Sequence, residues 1–233
     1  GLEVREFRIV DNKDYEFSKF LDVPAEDFSL LHRTAILDVP PSYTHENYNY
    51  VFRCDELGQT KLGTIENGSI SIIGKDSEQE LRRQDINPMN VEQLFLSRHL
   101  QDQTVNLVVV ESLAGSGKTA VAISNGLRMV RQGHYEGLLY VRSSQSDVDS
   151  SEEVGFLSTN EAKFAVYLHP LEDTLDYIVR QKLSQSKLKG EELELKVAEE
   201  ILALKTKCNI QAMTTLGMRG RTFNNYYVII DEC

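Results

Sequence analysis

The sequence predicts an α/β protein in which a mostly parallel sheet with intervening helices follows a small β-rich domain. Three observations predict it. After residue 85, valine-rich or apolar runs of strand length alternate with stretches of helical spacing. Before residue 75, short alternating runs are punctuated by glycine and by Asn67-Gly68. The 233 residues are 41% hydrophobic and 26% charged, which allows a buried core and argues against general disorder.

The elements follow in order. In residues 1–85, Arg5–Val10 reads as a strand and Ala25–Leu31 as a helix. Asn49–Arg53, Lys61–Ile65 and Ile70–Ile73 alternate, and Asn67-Gly68 between the last two signals a hairpin. A small sheet or barrel is expected there, followed by a polar linker over Gly74–Asp85. In residues 86–233, Asn106–Glu111 (NLVVVE) reads as a buried strand. Lys118–Arg131 places Val121, Ile123, Leu127 and Val130 at helical spacing and stops near Gly133. Leu138–Val141 is a second buried strand, and Ser143–Glu153 a solvated loop. Pro170 is expected to start a helix, with Glu172 and Asp173 in the first turn where the dipole favours them. Glu191–Lys205 is a charged helix with Leu193, Val197, Ile201 and Leu204 on one face, and Asn209–Met213 and Tyr227–Asp231 are further strands.

Charge and cysteine usage narrow the function classes. Net charge is −11, with 10 basic and 17 acidic residues in 1–85 against 15 and 19 in 86–233. A basic nucleic-acid module is excluded for the whole chain, though a local basic groove in the second part is not. No run approaches the ~18 apolar residues of a membrane span, and no charged-then-apolar leader opens the chain. Cys54, Cys208 and Cys233 are too few and scattered for a disulfide framework, so a reducing, cytoplasmic setting is expected. The five histidines show no metal-ligand spacing. A start at Gly1 and an end at Cys233, inside what reads as a motif, predict a piece of a longer polypeptide.

The sharpest motif is Ser112-Leu113-Ala114-Gly115-Ser116-Gly117-Lys118-Thr119, between a predicted strand and a predicted helix. That is the context of a phosphate-binding P-loop. Gly115 and Gly117 let backbone N–H groups curl around an anion, and the helix adds its positive end. Lys118 is expected on the β- and γ-phosphates of ATP and Thr119 on Mg²⁺. Ser112 stands where the pattern has glycine. A second signal, Val228-Ile229-Ile230-Asp231-Glu232, is an apolar strand tipped by two carboxylates. Asp231 is expected in the Mg²⁺ shell, and Glu232 as the group that polarises water for attack on the γ-phosphate. An apolar strand ending in a solvated acidic turn is the plainer reading of that segment taken alone.

With these residues, 86–233 resembles the PhoH-like family of P-loop ATPases, relatives of superfamily-one helicase motors. The resemblance rests on Ile86-Asn87-Pro88-Met89-Asn90-Val91-Glu92-Gln93, Leu139–Arg142, Gly155-Phe156-Leu157, Tyr167–Leu171 and Met218-Arg219-Gly220-Arg221-Thr222-Phe223 before the acidic strand. Ser143 stands where the family usually has proline. The resemblance implies a RecA-like core cut at the acidic-tipped strand, with Gln93 as a reader of adenine. It also implies coupling of hydrolysis to single-stranded RNA or DNA, and it admits an oligomeric ring. Residues 34–90 more weakly resemble the β-rich segment between nuclease and ATPase in PIN–PhoH fusions. No PIN-like acidic constellation stands in 1–33, so this chain alone should lack nuclease activity, whatever the parent protein carries upstream.

Several residues have two readings. Gln93 is either an adenine contact or a solvent-facing helix residue. Arg219 and Arg221 either neutralise charge on the γ-phosphate, in cis or across a subunit boundary, or pair with a local carboxylate. Arg142 either touches a nucleic-acid phosphate or the nucleotide, or makes a surface ion pair, and His169 is a helix-start residue. The expected function is Mg²⁺-dependent ATP hydrolysis coupled to nucleic-acid movement. The alternative is a nucleotide-dependent switch or oligomeric scaffold with little hydrolysis. A small-molecule kinase fits less well, because no acceptor-site block or lid is visible.

Overall fold

A computed structural model describes residues 18–40, 48–142 and 160–232, with backbone alone over 160–167. Arg5–Val10, Ser143–Glu153, Gly155-Phe156-Leu157 and Cys233 lie outside the described residues. Contacts divide the chain into two units, Gly1–Glu78 and Gln79–Cys233.

Among the described residues, the first unit is a five-stranded mixed sheet with one helix packed on it. Strands β1 (Lys19–Asp22), β2 (Ile36–Asp38), β3 (Tyr48–Cys54), β4 (Gln59–Glu66) and β5 (Ser69–Ile72) lie in the order β1-β3-β4-β5-β2. Only β1 and β3 run parallel; the other pairs are antiparallel. The β4–β5 hairpin turns at Asn67 and Gly68, with φ of 50° and 79°. Positive φ at both central residues is the demand of a type I′ turn, which is why that dipeptide stands there. Helix α1 (Ala25–Thr34) buries Phe28 and Leu31 against Tyr50, Phe52, Ile65 and Ile70.

Helix α2 (Lys75–Arg82) occupies most of the segment expected to be a polar linker. Its composition is polar because Leu81 is its one buried residue, so polarity marked an exposed helix.

The second unit holds a three-stranded parallel sheet. Strands β6 (Gly137–Arg142), β7 (Ile210–Thr214) and β8 (Tyr226–Asp231) lie in the order β7-β6-β8. The central strand β6 is buried from Gly137 through Val141, as a continuous apolar run in a covered parallel strand should be. Helix α3 (Val91–Gln101) precedes α4 (Lys118–Arg131), whose bounds match the sequence expectation. With α5 (Asn160–Leu183) and α6 (Glu191–Lys207), α4 covers one face of the sheet. Ile123 and Leu127, Leu171 and Leu175, and Val197 and Leu204 meet Leu138, Tyr140, Tyr227 and Ile229 there. Each such side chain contributes roughly 1.5–3 kcal/mol on burial. On the other face Leu139, Val141 and Met213 pack under Met218, Phe223 and Tyr226.

Two expectations fail in this unit. Asn106–Glu111 forms no strand: it joins no ladder among the described residues, and Leu107 and Val109 are exposed. Valine favours a pleated surface only where a neighbouring strand offers hydrogen bonds and cover, and among the described residues β8 pairs with β6 alone. Pro170 does not start a helix; it lies inside α5, and so does His169, which is therefore no helix-start residue. The face carrying Leu168, Leu171, Leu175 and Ile178 runs through the proline without a break, and this packing outweighs the lost backbone donor.

Candidate functional site

The site forms where the start of α4 meets the ends of β6 and β8. Gly115 and Gly117 have φ of 77° and 83°, the left-handed backbone that lets consecutive amides face one point. Gly117 is also the N-cap of α4, and no side chain caps the helix there. The first-turn N–H groups are therefore left for a ligand or water. Ser112 and Ser116 join hydroxyls at 2.6 Å, closing the loop on itself. Lys118 folds its ammonium back onto the carbonyls of Ser112 and Leu113, at 2.9 and 3.1 Å. Leu113, Ala114 and Gly115 are exposed.

Gln93 is tied to this loop. Asn90 caps α3 by accepting from the Gln93 backbone N–H at 2.8 Å, while Gln93 Oε1 accepts from the Met89 N–H at 2.8 Å. The result resembles a capping box, with reciprocal bonds at a helix start. Gln93 Nε2 donates to the Ser116 carbonyl at 2.9 Å, inside the P-loop. A side chain on Gly117 would meet that nitrogen at 3.0 Å. Neither sequence reading of Gln93 anticipated this brace. The amide still has one donor and one lone pair free for a base edge. Buried Asn125 holds α3 on α4 by donating to Ser97 Oγ and accepting from Gln101 Nε2.

Thr119 and Asp231, far apart in sequence, meet. Thr119 Oγ1 lies 3.1 and 3.2 Å from the two carboxylate oxygens of Asp231. Tyr140, fully buried on β6, donates its hydroxyl to Asp231 Oδ2 at 2.7 Å. Burial and the Asp231 bond push the Tyr140 phenol far above the usual tyrosine range, so it stays a donor. Hard oxygen donors from a hydroxyl and a carboxylate side by side suit Mg²⁺, which keeps several waters and takes few protein ligands. Among the described residues no cluster of three His, Cys, Asp or Glu forms a protein-only metal cage.

Glu232 follows Asp231 with φ of 52° and pairs with Arg142, whose Nε and Nη2 both reach Oε2. Arg142 thus makes the ion pair of its plainer reading. The structure does not bring Arg219 or Arg221 to this cluster. Arg221 Nη2 bonds Gln211 Oε1 at 3.2 Å on β7, two strands from β8, and its guanidinium stacks 5.0 Å from the Phe223 ring centroid. Arg219 is exposed at the end of a short 3-10 turn, Leu216–Met218. Tyr140 was missed as a site residue. Its place in an apolar run gave only a burial signal, and no spacing rule links it to Asp231.

Among the described residues no helix is long and apolar enough to cross a membrane. No solved structure matches the chain. Protein PhoH2 of Bacillus subtilis (strain 168) is 27% identical over 241 residues, covering all of this chain and 51% of that protein. A PhoH-like protein of the same organism is 28% identical over 120 residues, 51% of this chain and 31% of that one. The chain thus spans about half the length of the first relative and less of the second. The family model described as PhoH-like protein matches residues 85–233, and the chain belongs to that family.

Proposed function

We propose that the chain binds ATP at the loop Ser112–Thr119 and hydrolyses its β–γ bond with Mg²⁺, on a RecA-like core, in support of RNA or DNA strand movement. The observation that carries this reading is the meeting of Thr119 with Asp231 at the foot of an uncapped, glycine-bent helix start. Amides of the loop and the α4 start would bind phosphate oxygens, and Lys118 would leave two carbonyls to neutralise them. Thr119 and Asp231 would hold Mg²⁺, which when bound offsets charge on the phosphates. Glu232 would take a proton from the attacking water once it parts from Arg142.

The nucleic-acid coupling and a ring-shaped oligomer come from family likeness alone, and a cytoplasmic location from the few, scattered cysteines. A second reading, a nucleotide-dependent switch with slow turnover, is favoured by the engagement of Glu232 with Arg142. Phosphate release by the purified chain, with and without single-stranded RNA or DNA at several salt concentrations, separates the two. Stimulation supports the motor; binding without stimulated turnover supports the switch. Lys118→Ala is expected to lose nucleotide binding, and Glu232→Gln to bind and not turn over. Normal turnover by Glu232→Gln would remove that residue from the mechanism.

A further inference from the structure

We infer that Tyr140 is a positioning residue for the cation site, its hydroxyl fixing the Asp231 carboxylate beside Thr119. The inference rests on the reading that Thr119 and Asp231 hold Mg²⁺. Tyr140 stands opposite Ile229 in the β6–β8 ladder, and Arg142 opposite Asp231. The ring therefore rises from two register positions below, on the same face, and meets the carboxylate from the buried side of the sheet. The phenol bonds Oδ2 at 2.7 Å, shorter than either Thr119 contact. It thereby holds Oδ2 and, among the described residues, leaves Oδ1 with Thr119 alone.

A carboxylate at a strand tip can otherwise rotate about its terminal torsion, which is broad and roughly two-fold. A buried donor on one oxygen removes that freedom before any cation arrives. Outer donors of this kind orient a metal's own ligands and raise its affinity. The core cost of the arrangement is small, because Tyr140 fills its pocket with the same ring that a phenylalanine would.

The test uses the full chain and a fluorescent ADP analogue, titrated with Mg²⁺ and compared with its affinity in excess chelator. In the wild type, Mg²⁺ is expected to tighten nucleotide binding, and Asp231→Asn to lose most of that gain. Tyr140→Phe should keep the chelator-state affinity and require roughly tenfold more Mg²⁺ for half of the gain, the size of one hydrogen bond to a charged group. Ile229→Val, which loosens the same packing and leaves the hydroxyl in place, should titrate like the wild type. Equal Mg²⁺ titrations for Tyr140→Phe and wild type would overturn the role of Tyr140 and leave the cation reading standing. A matching shift in Ile229→Val would reduce Tyr140 to packing. No Mg²⁺ effect in the wild type would overturn the cation reading, and this inference with it.

Discussion

Arg142 and Glu232 are joined at the tips of neighbouring strands, with both Nε and Nη2 of the guanidinium on the single oxygen Oε2. Arg142 is mostly shielded, at 19% side-chain exposure, while Glu232 is 69% exposed. The pair is thus anchored from the arginine side. Glu232 also holds a left-handed backbone, an uncommon conformation for a residue other than glycine. Among the described residues its hydrogen bonds go to Arg142.

That pairing sets the first prediction. A carboxylate held on a guanidinium is turned away from any other partner, so Arg142 restrains the group expected to activate water. Half-exposed ion pairs are worth up to about 1 kcal/mol, or roughly a fivefold change in rate. Arg142→Ala is expected to raise phosphate release in the absence of nucleic acid by up to about that factor. A fall in the rate, measured at saturating nucleotide, would assign Arg142 to the reaction itself.

Gln93 gives the second prediction. Its amide braces the P-loop through Ser116 and the α3 start through Met89, and it retains one donor and one acceptor. Losing the brace should weaken every nucleotide alike, by about 1 kcal/mol for a neutral hydrogen bond. Losing an adenine contact adds a penalty that only ATP shows. Gln93→Ala is therefore expected to lower affinity for GTP several-fold and for ATP further, compared by competition against one fluorescent nucleotide. Equal losses would leave Gln93 as a brace alone.

Much of this arrangement was legible in the sequence, and the failures share a cause. Lys118–Arg131 was readable because its apolar spacing, preceding glycines and closing Gly133 all agree. Asn67-Gly68 was readable because two consecutive positive φ angles leave few other dipeptides. Asn106–Glu111 misled because valine content reports preference, whereas a strand exists only through its partner. Pro170 misled because a local breaker was weighed without the Leu168–Ile178 face that carries the helix past it. In the site, Lys118, Thr119, Asp231 and Glu232 announced themselves by residue type. Tyr140 and the Gln93 brace did not, since both depend on register between elements distant in sequence.

The third prediction concerns what holds α4, and with it the P-loop, on the sheet. Gly126 is fully enclosed: a Cβ there would meet Leu138 Cδ1 at 2.7 Å and Tyr227 Cδ1 at 2.8 Å. Both neighbours are buried, and Tyr227 lies in an edge-on contact with Tyr135 at 5.3 Å. In an exposed helix, replacing glycine by alanine would stabilise by about 1 kcal/mol. Here overpacking works against that gain, at about 1–3 kcal/mol in a close-packed core. The clash outweighs the gain in helix propensity, so Gly126→Ala is expected to lower the thermal midpoint by a few degrees, at about 2–4 °C per kcal/mol for a chain of this size. Leu138 and Tyr227 would have to lift α4 to relieve it, moving Thr119 away from Asp231 at the helix start. The variant should accordingly lose part of the Mg²⁺ gain in nucleotide affinity as well as stability, in melting curves and binding titrations run together. A raised midpoint would mean that the helix and sheet are free to separate there, and that the P-loop is held by Gln93 and Asn125 instead.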